Sequence, residues 1–244
     1  MGPDACELPV DWVDIWIISL LELHHQDSAA CLSADERTRA ASFAFERDRR
    51  RFDAGRGALR RILANYLRCT SSEVVFAYSQ TGKPRLDASQ TVSGLQFNAS
   101  GSGDLAVCAV ICNRSVGIDI EQIRDEFDPD LVRYALTESE RAEFERIPAN
   151  QKTAVFYRTW TRKEAYLKAI GCGLSRPLSS FSVNVAPTEF PRLVRDDFAA
   201  TATDCWSFAD LDPAPGWVGT IVYSGPPLAL RLHACDALKA PHVP

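Results

Sequence analysis

Two short stretches hold most of the side chains in this sequence that could do chemistry together. In Val116-Gly117-Ile118-Asp119-Ile120-Glu121, two carboxylates alternate with isoleucines. Read as a strand, the segment puts Asp119 and Glu121 on one face and Ile118 and Ile120 on the other. Two strand residues span about 6.6 Å, so both carboxylates can converge on one ion. Hard oxygen donors suit magnesium, which fills its remaining positions with water and substrate phosphate. A solvated acidic face on an ordinary amphipathic strand accounts for the same alternation. The second stretch is Trp160-Thr161-Arg162-Lys163-Glu164-Ala165-Tyr166-Leu167-Lys168. As a helix it spaces Trp160, Glu164 and Lys168 at i, i+4 and i+8, with Lys163 and Leu167 flanking that stripe. One acid between two lysines can add a third carboxylate and present cations to phosphate oxygens. An exposed Glu–Lys pair, worth about 0.3 to 0.5 kcal/mol, accounts for it equally.

The elements that must position these residues can be read on either side. Val10 to Leu20 reads as a strand, and Ser33-Ala34-Asp35-Glu36 is a capping box opening a helix toward Phe45. A second helix runs from about Arg47 to Arg68, with Phe52, Leu59, Ile62, Leu63 and Tyr66 as its apolar stripe. Strands follow at Val74–Tyr78, Gln96–Ala99 and Leu105–Cys112, with a turn at Thr81-Gly82-Lys83-Pro84. The pattern breaks at Asn113-Arg114-Ser115. A strand then follows over Val116 to Glu121, with a helix near Leu131–Ala135. Thr137-Glu138-Ser139-Glu140 is a second capping box, whose helix runs to about Ile147. A long helix over Gln151–Ile170 is stopped by Gly171 and Gly173. Short strands close the chain near 181–185, 205–208, 218–223 and 229–235. Strand, helices, strands thus occurs twice, which predicts an α+β protein of two similar lobes, 1–113 and 114–244.

Composition narrows the class. At 244 residues, 46% hydrophobic and 24% charged, the chain can bury a sizeable core without staples. Acids at Asp4, Glu7, Asp11 and Asp14 stand where a secretory signal carries positive charge, and Ile15 to Leu23 is too short to span a bilayer. A cytoplasmic protein without membrane association is expected. The eight cysteines form no CxxC pair, and buried free thiols are expected, with Cys108 and Cys112 sharing one strand face. His24-His25, His233 and His242 show no ligand spacing, so no zinc site is expected. Between Arg37 and Arg68, ten arginines face three acids, within a chain of net charge −5. That run serves either as a solvated helix face or as a surface for phosphates or an acidic protein. Nucleic acid is disfavoured by the acidic remainder.

Together, the two segments resemble the phosphopantetheinyl transferases of the Sfp type. That family carries a Gly-Ile/Val-Asp-x-Glu strand and, roughly forty residues on, a Trp-x-x-Lys-Glu-Ala/Ser-x-x-Lys helix, here Gly117–Glu121 and Trp160–Lys168. Upstream, Gly55-Arg56 with Leu59-Arg60, Gly82-Lys83-Pro84 and Phe97-Asn98-Ala99-Ser100 match family motifs in order. Downstream, Gly173-Leu174 and Phe181-Ser182-Val183 do so too. The Trp-x-x-Lys-Glu-Ala form resembles the subgroup with that signature.

The resemblance implies a monomer of two pseudo-symmetric α+β lobes with coenzyme A as co-substrate in the cleft between them. It implies Asp119, Glu121 and Glu164 as ligands of magnesium, or of manganese with the same donor preference, and Lys163 and Lys168 near the phosphates. Lys83 and Arg51, with Arg39 beside them, fall where the nucleotide end binds, and Glu164 where a base would take the proton of the attacking serine. The implied activity is holo-acyl-carrier-protein synthesis, the transfer of phosphopantetheine to acidic carrier proteins of fatty-acid, polyketide or nonribosomal peptide synthesis. One position departs from the family: Gly101, after Ser100, stands where most members have a phosphate-binding histidine. Losing a hydrogen bond to a charged group costs about 1.5 to 3 kcal/mol, unless Ser100, water or the Gly101 N–H substitutes. Gly101 therefore suggests, as the alternative, a coenzyme A- or carrier-binding protein with weak or no transfer activity. A third reading is a metal-dependent phosphodiesterase built on the same acids.

Overall fold

The computed structural model describes residues 7–22, 25–79, 82–125, 128–199 and 201–235. Asp4, Cys6, His24, Thr81 and His242 lie outside the described residues. One order of elements occurs twice along the chain. The first pass is β1 (Trp12–Ser19), α1 (His25–Ala30), α2 (Ala34–Ala41), α3 (Glu46–Leu67), β2 (Phe76–Tyr78), β3 (Pro84–Leu86), β4 (Leu95–Ser102) and β5 (Leu105–Cys112). The second is β6 (Val116–Gln122), α4 (Pro129–Ala135), α5 (Glu138–Glu145), α6 (Ala149–Ile170), β7 (Phe181–Val183), β8 (Leu193–Asp196), β9 (Trp206–Leu211) and β10 (Trp217–Ser224). A last strand, β11 (Ala229–Ala234), follows the repeat.

The sheets repeat as well. Strand order is β11-β1-β5-β4 in one and β6-β10-β9 in the other, so each places its first strand beside its last. The β1–β5, β4–β5, β6–β10 and β9–β10 pairs are all antiparallel. The chain divides into two compact units, Met1–Ala77 with Pro84–Asn113 and Leu230–Pro244, and Tyr78–Lys83 with Arg114–Ala229. The α+β duplication is as expected, but the units differ from the expected lobes 1–113 and 114–244: Leu230–Pro244 joins the first unit and Tyr78–Lys83 the second.

Both units use the same device to seat their long helix. Each expected capping box forms: Ser33 with Glu36 opens α2, and Thr137 with Glu140 opens α5. In each box the glutamate is also buried against a cation on the 22-residue helix that follows. Arg60 of α3 donates to Glu36 at 2.7 Å, and its Nη1 reaches the carbonyls of Ser71 and Val74. Lys163 of α6 donates to Glu140 at 2.5 Å and to the Phe181 carbonyl at 2.9 Å. A buried charge persists only when paired and hydrogen-bonded, so each pair locks the orientation of its helix.

In the first unit α3 turns Leu59, Ile62, Leu63 and Tyr66 against Trp16 and Ile18 of β1 and Val110 of β5, as its stripe predicts. Each such side chain stabilises the fold by about 1.5 to 3 kcal/mol when fully buried. In the second unit α6 is covered on most sides, packing on β6 and β10 and also against α5 and β7. Gly117 of β6 makes the closest approach possible. A Cβ there would lie 2.1 Å from the Ala165 carbonyl oxygen and 2.3 Å from the Ala169 nitrogen.

Three elements were not anticipated: α1, β3 and β8. All are short, and β3 buries only Leu86 of its three residues, too little for a periodic pattern. None of the seven described cysteines forms a disulfide. Cys108, Cys112 and Cys235 are buried as expected, whereas Cys31, Cys69 and Cys172 are only half-buried and Cys205 is exposed. Among the described residues no helix is long and apolar enough to cross a membrane.

Gly117→Ala must push α6 off β6, because both blocking atoms are backbone. Overpacking of this kind costs typically about 1 to 3 kcal/mol, and a loss at or above the upper end is expected in the urea unfolding midpoint.

Candidate active site

The absence of a side chain at Gly117 sets the site. On a strand, Gly117, Asp119 and Glu121 share one face, and the contact at Gly117 shows that this face meets α6. Asp119 is therefore 5% exposed, not the solvated acid of an ordinary amphipathic strand. On α6, Trp160, Glu164 and Lys168 form a half-buried seam between neighbours that are almost all fully buried. Lys168 lies in the last turn of α6, where a cation also suits the unsatisfied carbonyls. Its Nζ donates to Asp119 Oδ1 at 2.6 Å and to the Ile118 carbonyl at 3.2 Å.

Glu164 is the electrostatically strained member of the group. Burial first, and then the charge of Asp119, push its carboxyl above the ordinary carboxylate range; Glu121 adds to this and Lys168 opposes it. Clustered oxygen donors that disfavour one another's ionisation have the chemistry of a divalent-cation site. In their present positions, no three Asp, Glu, His or Cys side chains among the described residues stand close enough to grip an ion. The donor set fits magnesium in chemistry, with Lys168 meanwhile holding Asp119.

Beside Asp119, on the same sheet face, lies a second polar group that sequence reasoning missed. Thr220, opposite Asp119 on β10, is fully buried, contacts the Thr161 hydroxyl at 3.1 Å and donates to Asp210 at 3.1 Å. Arg162, 1% exposed, grips the same Asp210 with two donors at 3.1 and 2.6 Å and the Asn184 carbonyl at 2.6 Å. The motif marks Thr161 and Arg162 as helical but carries no sign of partners on β9 and β10.

Two expectations need correction. Lys163 does not face the phosphate side. It is 0% exposed and locked to Glu140 and Phe181, because successive helix positions are turned by about 100° and Lys163 points into the core while Glu164 does not. Burial, opposed by Glu140, lowers its pKa to about 8. Glu140 also accepts from the Thr137 and Val183 backbone N–H groups, so it is fully engaged. The capping box was the available clue to this partner. Lys83 is likewise turned inward: its Nζ donates to the carbonyls of Val116 at 3.0 Å and Lys168 at 2.5 Å.

The remaining candidates belong to the first unit. Arg51 is held by Asp104 through two donors at 2.9 and 2.6 Å. Arg39 is exposed and lies over the Phe52 ring at 5.5 Å. Arg49 and Arg50 pair with Glu46, so much of the arginine-rich run bonds to nearby acids. Ser100 and Gly101 lie on β4 opposite Val107 and Ala106. A Cβ at Gly101 would meet nothing closer than 3.5 Å, so that position accepts a side chain without strain.

The repeated order of elements makes this a duplicated α+β protein with a carboxylate–lysine cluster on β6 and α6. Residues 115–222 match the model of the 4'-phosphopantetheinyl transferase superfamily, and residues 21–113 that of the 4'-phosphopantetheinyl transferase N-terminal region. The chain is 39% identical to the 4'-phosphopantetheinyl transferase HetI of Nostoc sp., over 91% of this chain and 92% of that one. It is 27% identical to the 4'-phosphopantetheinyl transferase Sfp of Bacillus subtilis, over 63% of this chain and 66% of that one. Among solved structures, a holo-(acyl-carrier-protein) synthase from Bacillus anthracis in complex with CoA aligns with a TM-score of 0.37 and 22% identity, over 45% of this chain and 94% of that one. The chain belongs to the 4'-phosphopantetheinyl transferase family.

Two variants check the site's boundaries. Lys163→Met leaves Glu140 buried without its cation and is expected to cost about 3 to 5 kcal/mol in urea unfolding. Gly101→His should leave the unfolding midpoint within experimental error and tighten coenzyme A binding by calorimetry; unchanged or weaker affinity would refute a phosphate-facing role for this position.

Proposed function

We propose that this transferase moves the phosphopantetheine arm of coenzyme A to a carrier-protein serine using Asp119, Glu121, Glu164 and Lys168. The observation that carries the assignment is the buried Asp119, held by Lys168 on the face of β6 that meets α6. The serine oxygen attacks the β-phosphorus; the bond from that phosphorus to the bridging oxygen breaks, and adenosine 3',5'-bisphosphate leaves. Glu164 takes the serine proton, a role that suits a carboxylate made more basic by its surroundings. Lys168, exchanging Asp119 for a phosphate oxygen, offsets charge as the diphosphate separates. Asp119, Glu121 and Glu164 would hold magnesium, or manganese with the same donor preference, and the bound ion would neutralise charge on the diphosphate.

The division of labour follows the break after Asn113: the acids and Lys168 in 114–244, and Arg39, Arg51 and Ser100 as nucleotide-side candidates in 1–113. All of these lie on one chain, so a monomer suffices. Arg39 of α2 and the exposed Arg47 and Arg50 of α3 favour an acidic carrier protein by electrostatic steering. Carriers of fatty-acid, polyketide and nonribosomal peptide synthesis form the panel that separates acceptors. Gly101 favours a second reading, a binder of coenzyme A with weak transfer activity.

Intact-mass analysis of each carrier after incubation with the protein, coenzyme A and magnesium tests the activity. A carrier gaining the arm supports transfer, and none gaining it supports the second reading. Glu164→Gln should lower the transfer rate by about 10²- to 10⁴-fold. The same change should raise stability in magnesium-free buffer at neutral pH. A folded pKa above the unfolded one makes the ionised carboxylate a liability above the folded pKa, so the advantage should disappear as the pH falls through it.

A further inference from the structure

Lys83 does something that neither its motif nor the transfer chemistry explains. Lys83 is bonded to Ser79: the Ser79 N–H donates to the Lys83 carbonyl at 2.9 Å, the Gly82 N–H to the Ser79 carbonyl at 2.9 Å, and the Lys83 N–H to the Ser79 hydroxyl at 3.0 Å. Gly82 takes φ 80°, the left-handed region that glycine adopts freely. The Cα of Lys83 is thus held in place, and so is the ammonium. It donates to the carbonyl of Lys168, in the last turn of α6, and to that of Val116, the first residue of β6. The Lys168 carbonyl also accepts from the Gly171 N–H at 3.3 Å, and a cation at a helix C-terminus is favoured by the dipole.

Gly117 follows Val116 directly, and it is at Gly117 that the α6 backbone touches the strand. Lys83 therefore bonds the two backbones at their point of closest approach. Lys168, whose main chain it holds, reaches onward with its own ammonium to Asp119 and Ile118. Burial and the nearby Lys168 charge lower the Lys83 pKa to about 8, consistent with an ammonium committed to the interior.

We propose that Lys83 is a positioning residue of the transferase site, fixing the offset of α6 along β6 that sets Lys168 and Glu164 against Asp119. This rests on the roles assigned above to those three residues. The glycine-lysine-proline resemblance implies a nucleotide contact for the same residue, and that is the competing role. A clamp needs a donor that reaches two carbonyls, whereas a phosphate ligand needs the positive charge. The two roles therefore separate in kinetics.

The experiment compares the wild type with Lys83→Met, Lys83→Gln and Lys83→Arg. Transfer to one carrier is measured with coenzyme A and with dephospho-coenzyme A, which lacks the 3'-phosphate, and urea midpoints are recorded alongside. A small misplacement of reacting groups costs about 10²-fold. Lys83→Met should lower kcat on that scale with both donors, leaving their KM ratio unchanged. Lys83→Gln, which keeps an N–H donor without charge, should restore most of the loss. The proposal is overturned by a rise in KM for coenzyme A with kcat kept, confined to the donor carrying the 3'-phosphate, or by rescue with Arg but not Gln. Should Lys83→Met fail to fold, the Gln-against-Arg comparison decides alone. Asp119→Ala, run in parallel, keeps the two readings apart. Full activity there sinks the site assignment itself, whereas loss there with kcat intact in Lys83→Met sinks only the clamp.

Discussion

The contact between the backbone of α6 and the strand β6 at Gly117 is the constraint on which the site depends. A helix with side chains beneath it rides on a sheet at the distance those side chains set. Here the strand offers none at the crossing, and a Cβ would fall 2.1 Å from the Ala165 carbonyl oxygen. The helix settles onto the strand, and the residue two positions along, Asp119, is carried out of water with it. Every electrostatic feature of the site follows. Asp119 needs a cation and finds Lys168; Glu164, half-buried nearby, ionises less readily; and the cluster has the donor chemistry of a divalent-ion site.

Close approach alone does not fix where along the strand the helix stops. Lys83 bridges the two backbones at the crossing, and other bonds hold the remaining sides of the helix. Arg162 ties α6 to β9 through Asp210, Arg158 reaches the Leu211 carbonyl, and Lys163 ties the opposite side of the helix to α5 and β7. Trp160, Glu164 and Lys168 form a half-buried stripe of α6 within this packing. Four consecutive residues, Thr161 to Glu164, thus serve three neighbours and the site, which accounts for so many polar residues in a buried helix.

The two units show one solution used with different outcomes. Both bury a capping-box glutamate against a cation on the long helix, Glu36 with Arg60 and Glu140 with Lys163. Both set the first strand beside the last. Each first strand carries an acid on its helix-facing side, and only β6 carries a second there, Glu121. In β1 the buried acid is Asp14, which accepts from the Tyr66 hydroxyl at 2.7 Å and lies 2.7 Å from His233 of β11. There the carboxylate is used to fasten structure.

The sequence by itself determined the alternation of elements, both capping boxes, the apolar stripe of α3 and the identity of the acids and of Lys168. These are read from local periodicity and from side chains that bond within a few residues, and local rules act whatever the surroundings. Short elements such as β3 and β8 escaped because three or four residues hold too little pattern to register. Only the tertiary structure decided which cations serve chemistry and which serve packing. Lys163 and Lys168 sit on one helix, five residues apart, and the sequence assigns both to phosphate. The difference lies in what covers each side of α6, a sheet edge near Lys168 and the buried Glu140 and Phe181 at Lys163. The same holds for Lys83, whose partners are main-chain carbonyls 33 and 85 positions away. A main-chain acceptor has no residue identity, so no motif could have named it.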